Sequence, residues 1–331
     1  MNKIIGAVAS VTLSAVGIFY ANFAKDLNDA STAKIINVRV CKVVEHEAIN
    51  SVVAGMSNYL KTREKIKKGR IKYKISVETC QGNMAIASQI VAKFAASSTD
   101  VVVTVGTIPS QAAFKFAVKN QIKLVFSSVT NPADIAENFA NSNTTGVSNF
   151  VALKPQLELF RKIQSSLKKL GIIYNMGEAN STYIVNALKP ICAAMNLELV
   201  EQSMTKISEL PQMVEKLAQQ VDAIFISNDN MALSGISNIV AICKKYGVPV
   251  YVSDTDQVEK GCAAALGPNQ YQIGVQTGKI VEKIADGTDI NIMKVEYPDT
   301  KELYLNENSC VEISADLVAQ AKKFFTKSQK N

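Results

Sequence analysis

Residues 222–253 read DAIFISNDNMALSGISNIVAICKKYGVPVYVS, which is a strand pattern, a helix pattern and a second strand pattern in succession. The flanking runs DAIFIS and VPVYVS are short, β-branched and almost wholly apolar. Between them, Ile236, Ile239, Val240 and Cys243 recur at the spacing that places side chains on one face of a helix. Apolar strands that alternate with helices indicate a parallel sheet with both faces covered. This stretch therefore predicts an α/β fold.

The same alternation continues in both directions from this stretch. Eight strand candidates fall into two groups of four: IINVRVCKVV, IKYKISVE, DVVVTVG and IKLVFSSV, then LGIIYN, LELVEQ, DAIFIS and VPVYVS. A break near TTGVSNFVALKP, residues 144–155, separates the groups. Two sheets of four to six strands fit better than one very wide sheet. We therefore expect two doubly wound domains side by side, with ligands bound beyond the carboxyl ends of the strands.

The first 24 residues differ from the rest of the chain. Lys3 is followed by IIGAVASVTLSAVGIFYANFA, and the next charged residue is Lys25. A short basic start, an apolar run and small residues near Ala21 or Ala24 are typical of an export signal. A retained membrane anchor is the alternative, because the run is long for a signal. We prefer a cleaved signal over residues 1–24, and either interpretation places the remaining chain beyond a membrane.

The cysteines and the histidine restrict the possible chemistry. Six cysteines occur at wide spacings without a C-x-x-C motif, so no zinc or redox site is expected. Cys41 and Cys80 end two successive predicted strands, where either a disulfide or two buried thiols would fit. His46 is the only histidine, which excludes histidine-rich metal sites. No metal or cofactor is therefore expected.

The positive charge is confined to one segment. The chain has a formal net charge of +7, and residues 61–74, KTREKIKKGRIKYK, contain eight Lys or Arg and one Glu. The remaining chain therefore balances to zero, and no nucleic-acid partner is expected. A solvated surface is the preferred interpretation of this segment, and contact with anionic lipid head groups is the alternative.

The residues that directly follow the strands are rich in hydroxyls, amides and carboxylates. They include VVEHEAIN (43–50), VGTIPSQ (105–111), SSVTNP (127–132), YNMGEANS (174–181), SNDNM (227–231) and SDTDQ (253–257). Phosphate-binding glycine motifs are absent. A zwitterion suits these loops, since helix N-termini and hydroxyls can hold its carboxylate and Glu178 or Asp229 can hold its ammonium.

Hydrolytic chemistry has little support in the sequence. G-x-S-x-G is absent, and a serine triad would have to use His46. His46 is better explained as a polar residue that lines a ligand cleft between the two expected domains or caps a helix. Two alternatives to a binding protein remain: a ligand-sensing signalling domain, and a cleft lyase or hydrolase built on Glu178 and His46.

Several of these motifs, in this order, carry a family resemblance. They are VVEHEAIN, QGN, VTVGTIPSQAA, FSSVTNP, TGVSN, YN-x-x-EANS, DAIFISNDN and VYVSDTDQVEKGCAAALGPNQYQIG. From about Lys34 to near the C-terminus the chain resembles ABC-transporter substrate-binding proteins of the type I periplasmic binding-protein fold. The resemblance is to the group that includes tryptophan- and tyrosine-type amino-acid binders.

The resemblance implies two lobes joined by a three-stranded hinge. The N-terminal lobe would comprise residues 34–147 and 266–295, and the C-terminal lobe residues 148–265 and 296–325. It further implies a monomeric periplasmic protein without enzymatic activity. An amino acid, aromatic or large and apolar, would close the lobes, and the closed form would be presented to a membrane permease.

Ligand-binding residues are carried over position by position from the resemblance. The N-terminal lobe offers Thr107, Gln111, Ser128 and Thr130, and the C-terminal lobe offers Tyr174, Asn175, Glu178, Asn180, Ser181, Asp229 and Asp254. His46 is added as a cleft-lining residue. Among these, Tyr174 is the preferred stacking partner and Glu178 the partner of a ligand ammonium. Asn180 or Ser181 is expected to cap the following helix.

Overall fold

The computed structural model describes residues 33–299 and 301–326, so the predicted signal or anchor at 1–24 lies outside the described residues. Within the described ranges the chain forms two sheets, one of five strands and one of seven. Helices alternate with the strands through most of the chain. No helix in these ranges is long and apolar enough to cross a membrane.

The first sheet is entirely parallel and has the strand order β2-β1-β3-β4-β5. Its strands are Lys34–Lys42 (β1), Ile71–Thr79 (β2), Val101–Val105 (β3), Leu124–Val129 (β4) and Thr144–Ser148 (β5). The helices that connect them are Glu47–Ile66 (α1), Met84–Ala95 (α2) and Thr107–Asn120 (α3). The strand order reverses between β1 and β3, which is where doubly wound sheets bind ligands.

The second sheet has the order β12-β11-β10-β9-β8-β6-β7, and only the β10–β11 pair is antiparallel. Its strands are Lys169–Asn175 (β6), Glu198–Met204 (β7), Ala223–Ile226 (β8), Val250–Val252 (β9), Ala264–Gly267 (β10), Glu302–Asn306 (β11) and Lys323–Phe325 (β12). Its helices are Leu153–Ile163 (α4), Ala179–Ala194 (α5), Leu210–Ala218 (α6), Asn230–Ser234 (α7) and Ile236–Lys245 (α8). Phe160 stacks on Tyr251 in its core, with ring centroids 4.3 Å apart.

Two further helices complete the chain, Gln270–Ala285 (α9) and Ala315–Gln320 (α10). Although α9 follows β10 of the second sheet, it packs on α1 beside the first sheet. Gly55 and Gly274 make this contact possible. A Cβ at Gly55 would lie 2.0 Å from the Tyr271 carbonyl oxygen, and one at Gly274 would lie 2.0 Å from the Val52 carbonyl oxygen. The two helices therefore touch through their backbones.

The chain passes three times between the sheets. The first passage follows β5, the second joins β10 to α9, and the third leads to β11. In the third passage, Glu296 forms a parallel bridge with Val147 at the end of β5. The predicted α/β fold with two doubly wound lobes and a three-stranded hinge is confirmed. The predicted lobe boundaries stay predictions.

The strand count differs from the expectation of eight. The described residues form twelve strands, and the four additional ones are Thr144–Ser148, Ala264–Gly267, Glu302–Asn306 and Lys323–Phe325. Each has three to five residues, and the first two consist mainly of small residues. Such segments have no strong periodicity of their own, so only pairing with a neighbouring strand reveals them.

Cys41 and Cys80 lie against each other as buried free thiols. Of the two arrangements that the sequence allowed, the structure shows the pair of thiols.

Candidate functional site

A cavity lies where the carboxyl ends of the strands in the two sheets face each other. The space between its walls, counted together with the solvent at its mouth, is about 340 Å³. Six of the twelve predicted site residues line it: His46, Thr107, Ser128, Thr130, Asn180 and Asp254. Eight further residues also line it: Ala48, Ile49, Gly106, Asn149, Asn228, Asn230, Leu233 and Gln270. No Phe, Tyr or Trp side chain is among the lining residues that the structure describes.

Helix α3 begins at the cavity wall. Gly106 occupies its N-cap position with a φ of 97°, and a Cβ there would lie 2.7 Å from Cγ1 of Val43. Only glycine adopts this conformation without strain. No side chain caps the helix, and Thr107 is buried as its first residue. The first N–H groups of α3 and the Thr107 hydroxyl therefore remain available to an anionic group.

A chain of amides and hydroxyls forms a second part of the wall. Asn228 Nδ2 donates to Thr130 Oγ1 at 3.4 Å, and Thr130 Oγ1 donates to Asn149 Oδ1 at 3.1 Å. Asn149 Nδ2 then donates to Ser128 Oγ at 3.0 Å, and Ser128 donates to Gln270 Oε1 at 3.2 Å. Ser128 has a φ of 54° at an irregularity in β4. The left-handed backbone there lets the side chain meet both amides.

Asp254 supplies a buried carboxylate to the cavity. The residue is 1% exposed, and its Oδ2 atom has no hydrogen-bond partner within the described ranges. Its Oδ1 atom accepts from the Asp256 N–H at 3.3 Å. Burial, followed by the nearby charge of Asp256, raises the pKa of Asp254 to about 8. Asn180 Oδ1 is a second buried acceptor without a partner in the described chain. The cavity therefore lacks hydrogen-bond donors opposite these two oxygens.

Glu178 lies behind the cavity wall and does not line it. Its side chain is buried and accepts from Asn230 Nδ2 at 2.6 Å, the Asn230 N–H at 3.2 Å and Asn180 Nδ2 at 3.2 Å. It also accepts from the Met231 N–H at 3.2 Å and Asn175 Nδ2 at 3.4 Å. In this structure the expected partner of a ligand ammonium is instead occupied by protein donors. Glu178 positions two amides that do line the cavity.

Asp229 forms the second half of this support. It accepts from the Asn175 N–H at 2.6 Å, the Ser181 hydroxyl at 2.7 Å and the Ala232 N–H at 2.7 Å. Burial raises the pKa of Asp229. Burial, followed by the charge of Asp229, raises the pKa of Glu178 to about 7. The two carboxylates hold the ends of β6 and β8 together.

The start of α5 differs from the expectation. The helix begins at Ala179, so Glu178 occupies the N-cap position and Asn180 and Ser181 lie within the first turn. The Asn180 side chain donates to the Asn228 carbonyl at 2.7 Å, and Ser181 donates to Asp229. Neither caps the helix, because the adjacent loop after β8 provides stronger partners for both side chains.

Three more predicted residues lie away from the cavity. Gln111 Nε2 donates to the Asp134 carbonyl at 2.8 Å. The Tyr174 hydroxyl donates to Glu201 at 3.4 Å, and its ring packs against the core of the second lobe. Asn175 bonds Glu178 and Asp229, as described above. The structure does not place Tyr174 where it could stack on a ligand, since Tyr174 points toward β7.

His46 links the two lobes. It caps α1, and its Nδ1 atom accepts from the Ile49 N–H at 3.4 Å. The proton therefore lies on Nε2, which is 3.4 Å from Asn230 Oδ1 across the cavity. Burial lowers the pKa of His46 to about 4, so the imidazole is neutral. In this arrangement the neutral imidazole accepts at Nδ1 and presents its Nε2–H to Asn230.

Further contacts cross between the lobes. Lys260 Nζ lies 2.9 Å from Glu47 Oε2, and the contact between Asn228 and Thr130 also joins the two sides. Direct side-chain contacts across the cleft require the lobes to be closed. The structure therefore shows the closed arrangement.

Comparison with known proteins identifies the family. The family model described as "ABC transporter substrate binding protein" matches residues 37–323. The chain belongs to this family. As an ABC-transporter substrate-binding protein it binds a small molecule, works with permease components and is extracytoplasmic.

Related proteins and structures agree with this assignment. A tyrosine-binding protein of Clostridioides difficile (strain R20291) is 24% identical over 94% of this chain and 90% of its own length. The structure of an ABC domain from Streptococcus pneumonia in complex with L-Trp has a TM-score of 0.81 at 22% identity, covering 88% of this chain and 100% of that chain. A ligand-free, open substrate-binding protein from Clostridium difficile has a TM-score of 0.65 at 25% identity, covering 88% and 100%.

Four of the cavity-lining residues that the sequence analysis missed do carry a signal in the sequence. Asn228 and Asn230 belong to SNDNM after β8, Asn149 to TGVSN after β5, and Gln270 to the GPNQ that opens α9. Each lies directly beyond a strand. A consistent use of the strand-end rule would have included all four.

We expect Glu178→Gln to destabilise this substrate-binding protein by about 1–3 kcal/mol and to weaken ligand affinity indirectly. In the variant, the glutamine Nε2 replaces one carboxylate oxygen and faces groups that are themselves hydrogen-bond donors. One of the donors to Glu178 is the Met231 N–H, a backbone group that cannot become an acceptor. Chemical denaturation and calorimetry would measure the two effects. Glu201→Gln is the matched control, since among the described residues the Glu201 side chain bonds Tyr174 and Lys189 at the surface. Equal effects of the two variants would contradict the supporting role of Glu178.

We expect Lys260→Ala to shift the lobes of the binding protein toward the open form by a few fold. The Lys260–Glu47 pair exists only when the lobes are closed, and exposed ion pairs contribute about 0–1 kcal/mol. Fluorescence energy transfer between labels on the two lobes would report the change. Lys323→Ala is the control, because Lys323 pairs with Glu259 within the second lobe at 3.8 Å. An unchanged transfer efficiency in Lys260→Ala would show that the pair does not stabilise closure.

Proposed function

We propose that this chain binds an amino acid in the cavity between its lobes and delivers it to the permease of an ABC importer. The observation that carries this proposal is the unpartnered Oδ2 atom of Asp254, buried in the cavity wall. An unpaired buried carboxylate is costly unless a cation or donor reaches it. A ligand ammonium satisfies both Asp254 and Asn180 Oδ1, which also lacks a partner in the described residues.

The first lobe supplies the groups that would bind the ligand carboxylate. The N-terminus of α3 is uncapped, and Thr107 adds a hydroxyl at the same place. Helix N-termini favour negative charge through their free N–H groups and dipole. An amino acid bound between Thr107 and Asp254 therefore bridges the two lobes. Neither lobe alone holds both charged groups.

The proposed ligand is aromatic or large and apolar. The support is the tyrosine-binding relative and the L-Trp complex among similar structures. Ile49 and Leu233 supply apolar contact area within the cavity. Because Tyr174 lies elsewhere, an aromatic ring in this cavity would pack against aliphatic and amide groups.

Closure follows from the differential affinity of the two states. In the open form, a ligand contacts either the carboxylate site on the first lobe or the ammonium site on the second lobe. In the closed form, it contacts both sites at once. A ligand shifts the equilibrium only by the difference between its affinities for the two states. The contacts of His46 and Lys260 across the cleft then add to the stability of the closed form.

We further propose that the chain is a monomeric periplasmic protein without enzymatic activity, exported by a signal that is cleaved. A lyase or hydrolase built on Glu178 and His46 finds no support in the geometry. Glu178 is saturated by protein donors, and His46 uses Nδ1 to cap α1. Incubation of the protein with a panel of amino acids would test this point, and product formation would contradict it.

Thermal-shift and calorimetric screening against the amino acids tests the ligand class. A ligand at one hundred times its dissociation constant should raise the free energy of unfolding by about 2.7 kcal/mol. We expect tyrosine, tryptophan or phenylalanine to give the largest shift. Parallel samples with sugars, nucleosides and short peptides serve as controls. A shift with one of those, but with no amino acid, would overturn the proposal.

A further inference from the structure

The basic segment 61–74 is not used by the binding site, and the structure divides its cations into two sets. Arg63 and Lys67 pair with Glu282 at 2.7 and 3.0 Å, and Lys67 also contacts Asp286 at 2.6 Å. Within residues 33–299 and 301–326 the other six are exposed and form no ion pair or side-chain hydrogen bond. These six form the distal basic face: Lys61, Lys65, Lys68, Arg70, Lys72 and Lys74.

The distal basic face lies far from the ligand cavity. It spans the end of α1, the following turn and the start of β2. Since the cavity is at the carboxyl ends of the parallel strands, the start of β2 is at the opposite end of the sheet. Strand β2 is also the edge strand of that sheet. The face is therefore open to a partner in both the open and the closed lobe arrangements.

The chain enters the first lobe at this same face. The Lys34 N–H donates to the Arg70 carbonyl at 2.9 Å, and Lys34 lies in register with Ile71. In the sequence, the uncharged apolar run 4–24 precedes this point by nine residues, 25–33. Nine residues reach at most about 30 Å. Until the proposed signal is cleaved, an apolar run in the membrane therefore holds the distal basic face close to the membrane surface.

Two large apolar side chains are exposed beside these cations. Ile35 is 57% exposed and lies in register with Lys72, and Ile66 is 60% exposed in the last turn of α1. Cations with exposed aliphatic side chains between them suit the boundary between head groups and acyl chains.

We propose that the distal basic face binds anionic phospholipid head groups at the surface of the membrane from which the chain emerges. The unpaired cations supply the attraction, and Ile35 and Ile66 supply shallow apolar contact. Each Lys or Arg close to an anionic surface contributes about fivefold to the partition coefficient. This function is separate from ligand binding, because the cavity residues lie at the other end of the sheet.

Vesicle sedimentation of the full chain tests the proposal. The test variant combines Lys68→Gln, Arg70→Gln, Lys72→Gln and Lys74→Gln. Vesicles of phosphatidylcholine alone are compared with vesicles that also contain phosphatidylglycerol. The apolar run 4–24 is common to all samples, so the difference between the two vesicle types isolates the basic face. We expect the variant to lose about a hundredfold or more of the preference for phosphatidylglycerol.

A matched control removes the same charge elsewhere, with Lys162→Gln, Lys168→Gln, Lys216→Gln and Lys245→Gln in the second lobe. These cations are exposed and form no ion pair among the described residues. The control should retain its preference for phosphatidylglycerol, and both variants should keep the melting temperature of the parent protein. High salt should remove the preference of the parent protein.

Four results would overturn the proposal. The first is a parent protein that shows no preference for phosphatidylglycerol. The second is an equal loss in the test and control variants, which would indicate net charge alone. The third is displacement from vesicles by millimolar inorganic phosphate, which would indicate a site for a free anion. The fourth is tighter binding to duplex DNA than to anionic vesicles.

Discussion

Asp254→Asn should weaken ligand binding by about thirtyfold or more. In the parent protein, Asp254 is the cavity carboxylate whose Oδ2 atom has no partner in the described chain. Removing one partner of a buried charged pair costs about 2–5 kcal/mol. Isothermal titration with the amino acid that gives the largest thermal shift would measure the loss. An affinity within threefold of the parent would remove Asp254 from the proposed ammonium site.

The same variant should be more stable than the parent protein when no ligand is bound. Burial raises the pKa of Asp254 to about 8, compared with an ordinary value of 3.8. Between these values the folded state binds more protons than the unfolded state, so its free energy of unfolding falls as pH rises, by up to about 1.4 kcal/mol per pH unit per group. Asparagine cannot ionise. Denaturation of Asp254→Asn across this range should therefore show a smaller slope.

Ligand affinity in the parent protein should rise with pH up to about 8. An ammonium requires the ionised form of Asp254, so binding below that pH releases a proton. Calorimetry in buffers of different ionisation enthalpy counts the released protons. Asp134→Asn is the matched control, because Asp134 also has a buried oxygen without a partner in the described ranges but does not line the cavity. This control should preserve the affinity and its pH dependence.

Gly274→Ala should destabilise the protein by about 3 kcal/mol or more. A Cβ at this position would lie 2.0 Å from the Val52 carbonyl oxygen and 2.9 Å from the Met56 backbone nitrogen. Backbone atoms within a helix cannot move aside independently, so α1 and α9 must separate. Overpacking of this kind costs about 1–3 kcal/mol, and occasionally more. Chemical denaturation would measure the change.

A loss of stability in Gly274→Ala would indicate tight packing, because helix propensity alone predicts a gain. At an exposed helix position, replacement of glycine by alanine stabilises by about 1 kcal/mol. Gly177→Ala is the control, since its nearest contact would be the flexible side chain of Asn175 at 3.2 Å. That variant should change the free energy of unfolding by less than about 0.5 kcal/mol. A Gly274→Ala protein as stable as the parent would show that the helices are not in backbone contact.

Much of the fold was predictable because its determinants are local. In α8, Ile236 and Ile239 follow the helical period, and the strands beside it are continuously apolar. Strands β5, β10, β11 and β12 were missed since they are short and are defined by their neighbours. The resemblance implied that residues 266–295 return to the first lobe, but the close packing of α9 on α1 rests on Gly55 and Gly274, whose backbone contacts form only in the folded chain.

The candidate site also has a part that the sequence predicts and a part that depends on the tertiary structure. The rule that ligands bind beyond the carboxyl ends of strands brought His46, Thr107, Ser128, Thr130, Asn180 and Asp254 to the cavity. The sequence could not rank Glu178 against Asp254, because both are carboxylates in polar loops after strands. Their difference lies in which donors reach them. The loop after β8 saturates Glu178, whereas Asp254 Oδ2 has no hydrogen-bond partner among the described residues.

By itself, the sequence determined the α/β class, the two groups of strands, the loops that could form a site and the segment that carries the positive charge. These features depend on periodicity and composition, which are local. The tertiary structure alone decided which carboxylate lines the cavity, how α1 and α9 pack, and that the distal basic face lies where the chain enters β1. Each of these features depends on burial and on pairing between segments that are distant in the chain. Burial and pairing are properties of the folded chain and cannot be read from a single position.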